Sequence, residues 1–156
     1  MSINEAIHQL LRGAEIPYRV VSHAPTRTSE ESAQARGEDL RIGGKALLIK
    51  TDQEFRLFVL SAALRIDSAA IRRHFGAKDV RFASAEDLDR LTGLVPGAVP
   101  PFGRPILPFD LFVDSALPDN STIAFNAGLL TESIILGMQD YLRVATPMIF
   151  PFGKRD

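Results

Sequence analysis

Two stretches of this chain hold residue types that could do chemistry together. Lys45 heads the apolar run Gly43-Gly44-Lys45-Ala46-Leu47-Leu48-Ile49, and farther on the chain reads Gly97-Ala98-Val99-Pro100-Pro101-Phe102-Gly103. A lysine followed by apolar residues must lay its stem on hydrophobic surface while its ammonium finds water, a partner or a substrate. The paired prolines fix the second stretch at low entropy, and its terminal glycines allow backbone geometries that aim amides at a ligand. Together they describe a small pocket with one fixed cation and a rim of backbone amides, which suits an ester carbonyl and its amino group. A snorkelling edge-strand lysine and a plain connector would give the same two patterns.

Other chemistries find less support. Asp39 stands where a phosphate loop needs its first glycine, and Ala46 where it needs a hydroxyl. No serine lies in a G-x-S-x-G context, and the absence of cysteine removes thiol nucleophiles, disulfides and thiolate metal sites. His8 and His74 fall on helical segments without ligand spacing, so no metal and no cofactor is expected. His23, before Ala24-Pro25, is suited either to orienting a substrate or to a structural bond at a strand end. Asp110 and Asp114 could pair as carboxylates or stand as exposed strand acids. Arg27, Arg36, Arg41, Lys50 and the Arg72-Arg73 pair could form a basic face for RNA phosphates or simply a solvated surface.

The elements that must hold these residues are legible as caps and periodicities. Ser2 and Glu5 fit a capping box ahead of a stripe at Ile3, Ala6, Ile7, Leu10 and Leu11 that ends near Gly13. Residues 18–21 read as a strand, and Thr28 to Glu31 as a second box starting a helix that stops at Gly37. Lys45–Thr51 and Phe55–Ala62 read as a hairpin about the turn Asp52-Gln53-Glu54, and this is the expected core. Asp67 should cap a helix to Phe75, closed by Gly76. Val80–Phe82 is a strand, followed by a Ser84-capped helix to Leu91. Phe109–Val113 and Thr122–Phe125 read as strands, and residues 139–142 as a last helical turn. Helices and strands interleave irregularly with at least one hairpin, which predicts an α+β fold rather than a doubly wound parallel sheet.

Length and composition bound the rest. A chain of 156 residues without a linker tract is expected to form one domain over residues 1–156, and a domain of that size buries about 68–70% of its unfolded surface. Hydrophobic residues at 46% and charged residues at 24% are ordinary for a globular protein. No apolar run is long enough to span a bilayer and the first residues lack signal-peptide character, so no membrane partner and a cytoplasmic location are expected. A net charge of −1 excludes nonspecific coating of DNA and requires any nucleic acid to be held by a local basic face.

Taken in order, several stretches resemble the YbaK/prolyl-tRNA-synthetase-associated editing domain family. They are His23-Ala24-Pro25-Thr26 with Ser29-Glu30-Glu31, Gly44-Lys45-Ala46-Leu47, Phe58-Val59-Leu60-Ser61-Ala62, and Phe82-Ala83-Ser84 with Leu91-Thr92-Gly93-Leu94. Pro96 to Gly103 and Phe125-Asn126-Ala127-Gly128 complete the set, which spans residues 15–144. The resemblance implies a curved, mixed, barrel-like sheet flanked by helices, and a free-standing deacylase that clears mischarged tRNA. It implies that Lys45 with Gly97 and Pro101 forms the catalytic centre. His23, Ala46, Val99, Pro100, Phe102, Asn126 and Gly128 would line the substrate site, and Arg27, Arg36, Arg41, Arg72 and Arg73 would meet the tRNA. Water would attack the ester with help from the terminal ribose hydroxyl, without a metal. The family pattern leaves room for contact with an aminoacyl-tRNA synthetase and for a monomer or weak dimer. Relatives that edit alanyl-tRNA tend to carry Asn after the lysine and a His-Pro pair after the late strand. Here Ala46 and Asn126-Ala127 stand instead, so the amino acid removed is left open. A noncatalytic tRNA-binding module of the same fold would share all of these features.

Overall fold

The structure, a computed structural model, describes residues 1–155. Helix α1 (Ile3–Gly13) starts where Ser2 Oγ accepts from the Glu5 amide at 3.0 Å, and it buries Ile7 and Leu11. Strand β1 (Tyr18–Ser22) leads to α2 (Ser29–Arg36), where Thr28 caps the first turn and Gly37 ends the last at a φ of 70°. Strands β2 (Gly44–Thr51) and β3 (Glu54–Ser61) form the expected hairpin. Its turn is the two residues Asp52-Gln53, with Asp52 at a φ of 53°. The Asp52 carboxylate accepts from the Lys78 and Asp79 amides at 2.9 and 3.0 Å, which holds that tight geometry.

Strand β4 (Arg65–Ile66), helix α3 (Ser68–Phe75), strand β5 (Val80–Phe82) and helix α4 (Ala85–Thr92) follow. Then come β6 (Leu111–Asp114), β7 (Thr122–Asn126), β8 (Glu132–Gly137), α5 (Met138–Ala145), β9 (Met148–Phe150) and β10 (Gly153–Lys154). A five-stranded sheet runs in the order β5-β2-β3-β6-β9, antiparallel through β3 and parallel from β3 to β9. An antiparallel sheet β1-β8-β7 and a β10-β4 pair complete the set. The two larger sheets meet at a parallel bridge from Gly43 to Ala124. The strands are mixed, as expected, but the sheets stay open and do not close into a barrel.

Period-two alternation on β3 divides the core. Leu57 and Val59 face a cluster shared with Ile123, Phe125, Ile134 and Leu136 of the smaller sheet and with α1 and α5. Phe58 and Leu60 face a second cluster with Ile71 of α3, Phe112 and Phe152. Phe58 stacks on Phe112 at a centroid distance of 5.4 Å and meets Phe152 edge-on at 5.2 Å. The central part of this sheet is therefore covered on both sides.

Two further expectations change, and one strand carried none. Asp110 and Asp114 do not form a carboxylate pair. Asp114 is 2% exposed and accepts from the Phe152 and Gly153 amides at 2.8 Å, which ties the last strand into the sheet, whereas Asp110 pairs with Arg104 on the surface. The strand expected from Phe109 begins at Leu111. β8 had no sequence expectation, because Ser133, Ile134, Ile135 and Leu136 are all buried and the alternation that marks a half-exposed strand is missing. Among the described residues, no helix is long and apolar enough to cross a membrane.

The close approach of β2 to β7 gives a test. A Cβ at Gly44 would lie 2.7 Å from Ile123 Cδ1. Gly44→Val should force the strands apart at a cost of about 1–3 kcal/mol, visible as a lower Tm. An unchanged Tm would show that this junction is loose.

Candidate active site

The end of β2 that carries Lys45 has β3 on one side only, because β5 pairs with β2 at Ile49–Thr51 and no further back. Beside that open edge lies a cavity of about 160 Å³. Its walls come from the start of β2, the 26–28 segment, α2, the Gly97 loop and Asn126 at the end of β7. Helix α2 contributes Ser29, Ser32, Ala33 and Arg36, which share one face by the i, i+3, i+4, i+7 rule. An inner face of small and polar side chains leaves a polar void where an apolar stripe would have filled the space. Gly43 allows close passage here, since a Cβ would sit 3.0 Å from Ala62 Cβ and 3.5 Å from Arg36 Nη1.

A hydrogen-bonded network holds the inner end of the cavity. Arg36 Nε donates to Ser133 Oγ at 2.8 Å and Nη2 to Asn126 Oδ1 at 3.1 Å. Asn126 Nδ2 donates to the Gly97 carbonyl at 2.8 Å, and His23 Nε2 lies 2.8 Å from Ser133 Oγ. Burial lowers the Arg36 pKa to about 10, opposed in part by the charge of Glu38, so the guanidinium remains cationic at neutral pH. No histidine, aspartate or glutamate lines the cavity, whereas Arg27, Arg36 and Lys45 all do. Its electrostatics are therefore one-signed.

The Gly97 loop is held from behind. Gly97 has a φ of 90°, the left-handed region that favours glycine. The Pro101 carbonyl accepts from the Tyr141 hydroxyl at 2.7 Å, and full burial raises the Tyr141 pKa so that the hydroxyl stays a donor. Phe102, 1% exposed, meets Phe125 and Tyr141 edge-on at 5.5 and 5.6 Å. The Ala98 amide donates to the Val95 carbonyl at 3.1 Å, which removes one of the amides expected at the rim.

The cavity brings together Lys45, Ala46, Gly97, Val99, Asn126, Arg27 and Arg36. Other residues expected at the site lie elsewhere. Pro100, Pro101 and Phe102 are buried behind the loop, because this apolar segment completes the core. Gly128 packs on α1, where a Cβ would come within 3.2 Å of Ile3 Cγ2. His23 stands behind the network rather than on the cavity wall. Arg36 turns inward to Ser133 and Asn126 instead of outward to a phosphate. Arg72 and Arg73 sit on α3, over the sheet face that carries the second cluster, and do not line the cavity. Arg41 is exposed on the 3-10 turn Leu40–Ile42, next to Leu40 of the cavity wall. Ser133, Thr26, Ser32 and Tyr141 carried no expectation. The Ser29-Ser32-Arg36 spacing was the available signal for α2, and Ser133 was hidden with its strand.

With this geometry, residues 23–144 match the family model described as the aminoacyl-tRNA editing domain, and the chain belongs to that family. The chain is 38% identical, over 88% of its own length and 84% of the relative's, to the multifunctional Ser/Thr-tRNA deacylase ProXp-y of Escherichia coli K12. It is 24% identical, over 92% of its length and 91% of the relative's, to the prolyl-tRNA editing protein ProX of Acetoanaerobium sticklandii. Part of it also matches 18% of the proline–tRNA ligase of Macrococcus caseolyticus at 24% identity, covering 67% of this chain. A crystal structure of a candidate trans-editing enzyme for prolyl-tRNA synthetase shares the fold with a TM-score of 0.83 and 23% identity, covering 99% of this chain and 98% of that one.

Arg36 should matter first for stability. Arg36→Ala leaves Ser133 and Asn126 each short of a charged donor in a largely closed setting, a loss of about 1–3 kcal/mol. Urea unfolding should report it as a lower midpoint with an unchanged slope. An unchanged midpoint would mean that the network adds nothing net.

Proposed function

We propose that this protein is a trans-editing deacylase, which hydrolyses the ester joining a small, wrongly attached amino acid to tRNA. The carrying observation is that Lys45 and Gly97 line one small, cationic cavity in a chain of the editing-domain family. The cavity, at about 160 Å³, is small and suits a short side chain and its ester. The named specificity of the Escherichia coli relative makes serine and threonine the first amino acids to test. Residues 1–156 act as one editing domain in the cytoplasm, on tRNA and beside the synthetases that charge it.

The lining explains how little protein chemistry the reaction needs. An aminoacyl ester is already activated, so positioning and charge stabilisation suffice. No histidine or carboxylate lines the cavity to activate a wall hydroxyl as nucleophile, and the one hydroxyl that meets a carboxylate, Thr28 with Glu31 at 3.3 Å, is the exposed cap of α2. Water is then the attacking group, assisted by the substrate's own ribose hydroxyl. Lys45 holds the aminoacyl group and offsets the developing oxyanion, and the Gly97 loop fixes the ester's orientation. The lining also offers no carboxylate or imidazole to a metal ion, which supports a metal-independent reaction.

Lys45→Ala should lower deacylation at least about tenfold, equivalent to ~1.4 kcal/mol of transition-state stabilisation, with Tm retained. Full turnover in that variant would remove Lys45 from the mechanism. Gly97→Val, at a φ of 90°, should lose more activity than stability. EDTA should leave the rate unchanged; activity lost to the chelator and restored by zinc would overturn metal independence.

The tRNA end approaches the cavity past Arg27 and Arg41, the first on its wall and the second on the exposed turn beside it. With two such contacts, log affinity should fall against log salt with a slope of about 1.4 to 1.8. Arg27→Glu with Arg41→Glu should weaken binding of aminoacyl-tRNA, whereas reversing Arg72 and Arg73 should not. The opposite pattern would place the RNA over α3.

A further inference from the structure

The geometry points to Thr26 and Ser32 as the pair that reads the side chain of the amino acid being removed, and to a hydroxyl as what it selects. This rests on the deacylase reading above and adds the residues that set its specificity. Thr26 Oγ1 and Ser32 Oγ lie 2.7 Å apart, at 5% and 6% residue exposure, and both residues line the cavity. Each hydroxyl has one hydrogen to donate and two lone pairs. Their mutual bond uses one of the two hydrogens. The pair therefore keeps one donor and spare acceptor capacity, which is the complement of a single alcohol.

Of the other polar residues on the wall, the two that carry hydroxyls, Thr28 and Ser29, stand at the more exposed start of α2, where Thr28 is already used as the helix cap, and the rest do not offer that combination. Arg27, Arg36 and Lys45 only donate. Asn126 has its carbonyl committed to Arg36 and Ser133 and its amide to the Gly97 carbonyl. The hydroxyl pair is also held in place before any ligand arrives. Ser32 sits on α2, its amide bonded to the Thr28 carbonyl at 3.0 Å, and the Thr26 amide donates to the Leu130 carbonyl at 3.2 Å. A site built to hydrogen-bond a substrate hydroxyl rejects the analogue lacking it, because its own polar groups are then left unpaired. An alanyl group would leave the pair in that condition; a seryl or threonyl group would satisfy it.

The test uses one tRNA body charged with serine, threonine or alanine, the full-length protein, and kcat/KM and Tm for each variant. The wild type should favour the seryl ester over the alanyl ester. Thr26→Val, which keeps shape and removes the hydroxyl, should lower seryl and threonyl hydrolysis by about tenfold while changing alanyl hydrolysis less than about threefold. Thr26→Ser should restore the seryl rate, and Ser32→Ala should reproduce the loss if Thr26→Val folds poorly. Equal losses on all three esters, or an unchanged seryl-to-alanyl ratio in both Thr26→Val and Ser32→Ala, would overturn the assignment of the pair while leaving the deacylase reading standing. A wild type that hydrolyses none of the esters would overturn both.

Discussion

The close passage of β2 against β7 at Gly43 and Gly44 is the constraint on which the rest of the structure depends. Two sheets of different strand order meet there through one bridge, from Gly43 to Ala124. The backbones can approach because Gly44 presents no Cβ to Ile123 of β7, while Gly43 leaves room for Ala62 at the end of the β2-β3 hairpin. One residue later the chain carries Lys45, so the cation is placed where the backbone is most tightly defined. A side chain at Gly44 would press on Ile123 of β7 and shift Lys45 relative to the Gly97 loop.

A largely buried arginine is the second costly element, and it is tolerated because its hydrogen bonds are satisfied. Removing a guanidinium from water is unfavourable unless its donors find acceptors. Ser133 and Asn126 supply them, and Asn126 passes the constraint on to the Gly97 carbonyl. From the other side, Tyr141 fixes Pro101 and the aromatic core fixes Phe102. The loop is thus pinned at both ends by side chains from β7 and α5, which is how a segment without regular structure can keep one shape.

Much of this was legible in the sequence because local rules had no competitor. The caps at Ser2, Thr28, Asp67 and Ser84 mark the helices they begin. The β2-β3 hairpin follows from two apolar runs about a polar turn, and Lys45 stands out because a charge interrupts that pattern. The direction in which polar residues face was not legible. Arg36 on a short, charge-rich helix has the composition of a solvated surface, and only tertiary packing turns it inward. Phe102 shows the reverse: beside Pro101 and Gly103 it reads as a loop residue over a ligand, yet its ring is core. The Arg72-Arg73 pair reads as a basic patch whichever face α3 occupies, since charge density carries no information on where the cavity lies.

The one-signed lining ties the fold to the kind of chemistry it can support. Three cations and no carboxylate or imidazole create a field that favours an anionic backbone outside and a developing oxyanion within. The same composition puts no carboxylate or imidazole on the cavity wall, which fits the proposed attack by water assisted from the substrate's own ribose hydroxyl. A free amino-acid ester without a neighbouring ribose hydroxyl would find its carbonyl polarised in this cavity and still lack that assistance. On that proposal, dependence on the terminal hydroxyl rests on what α2, β2 and β7 omit as much as on what they supply. It gives a cavity of modest catalytic means a way to spare esters that are not attached to tRNA.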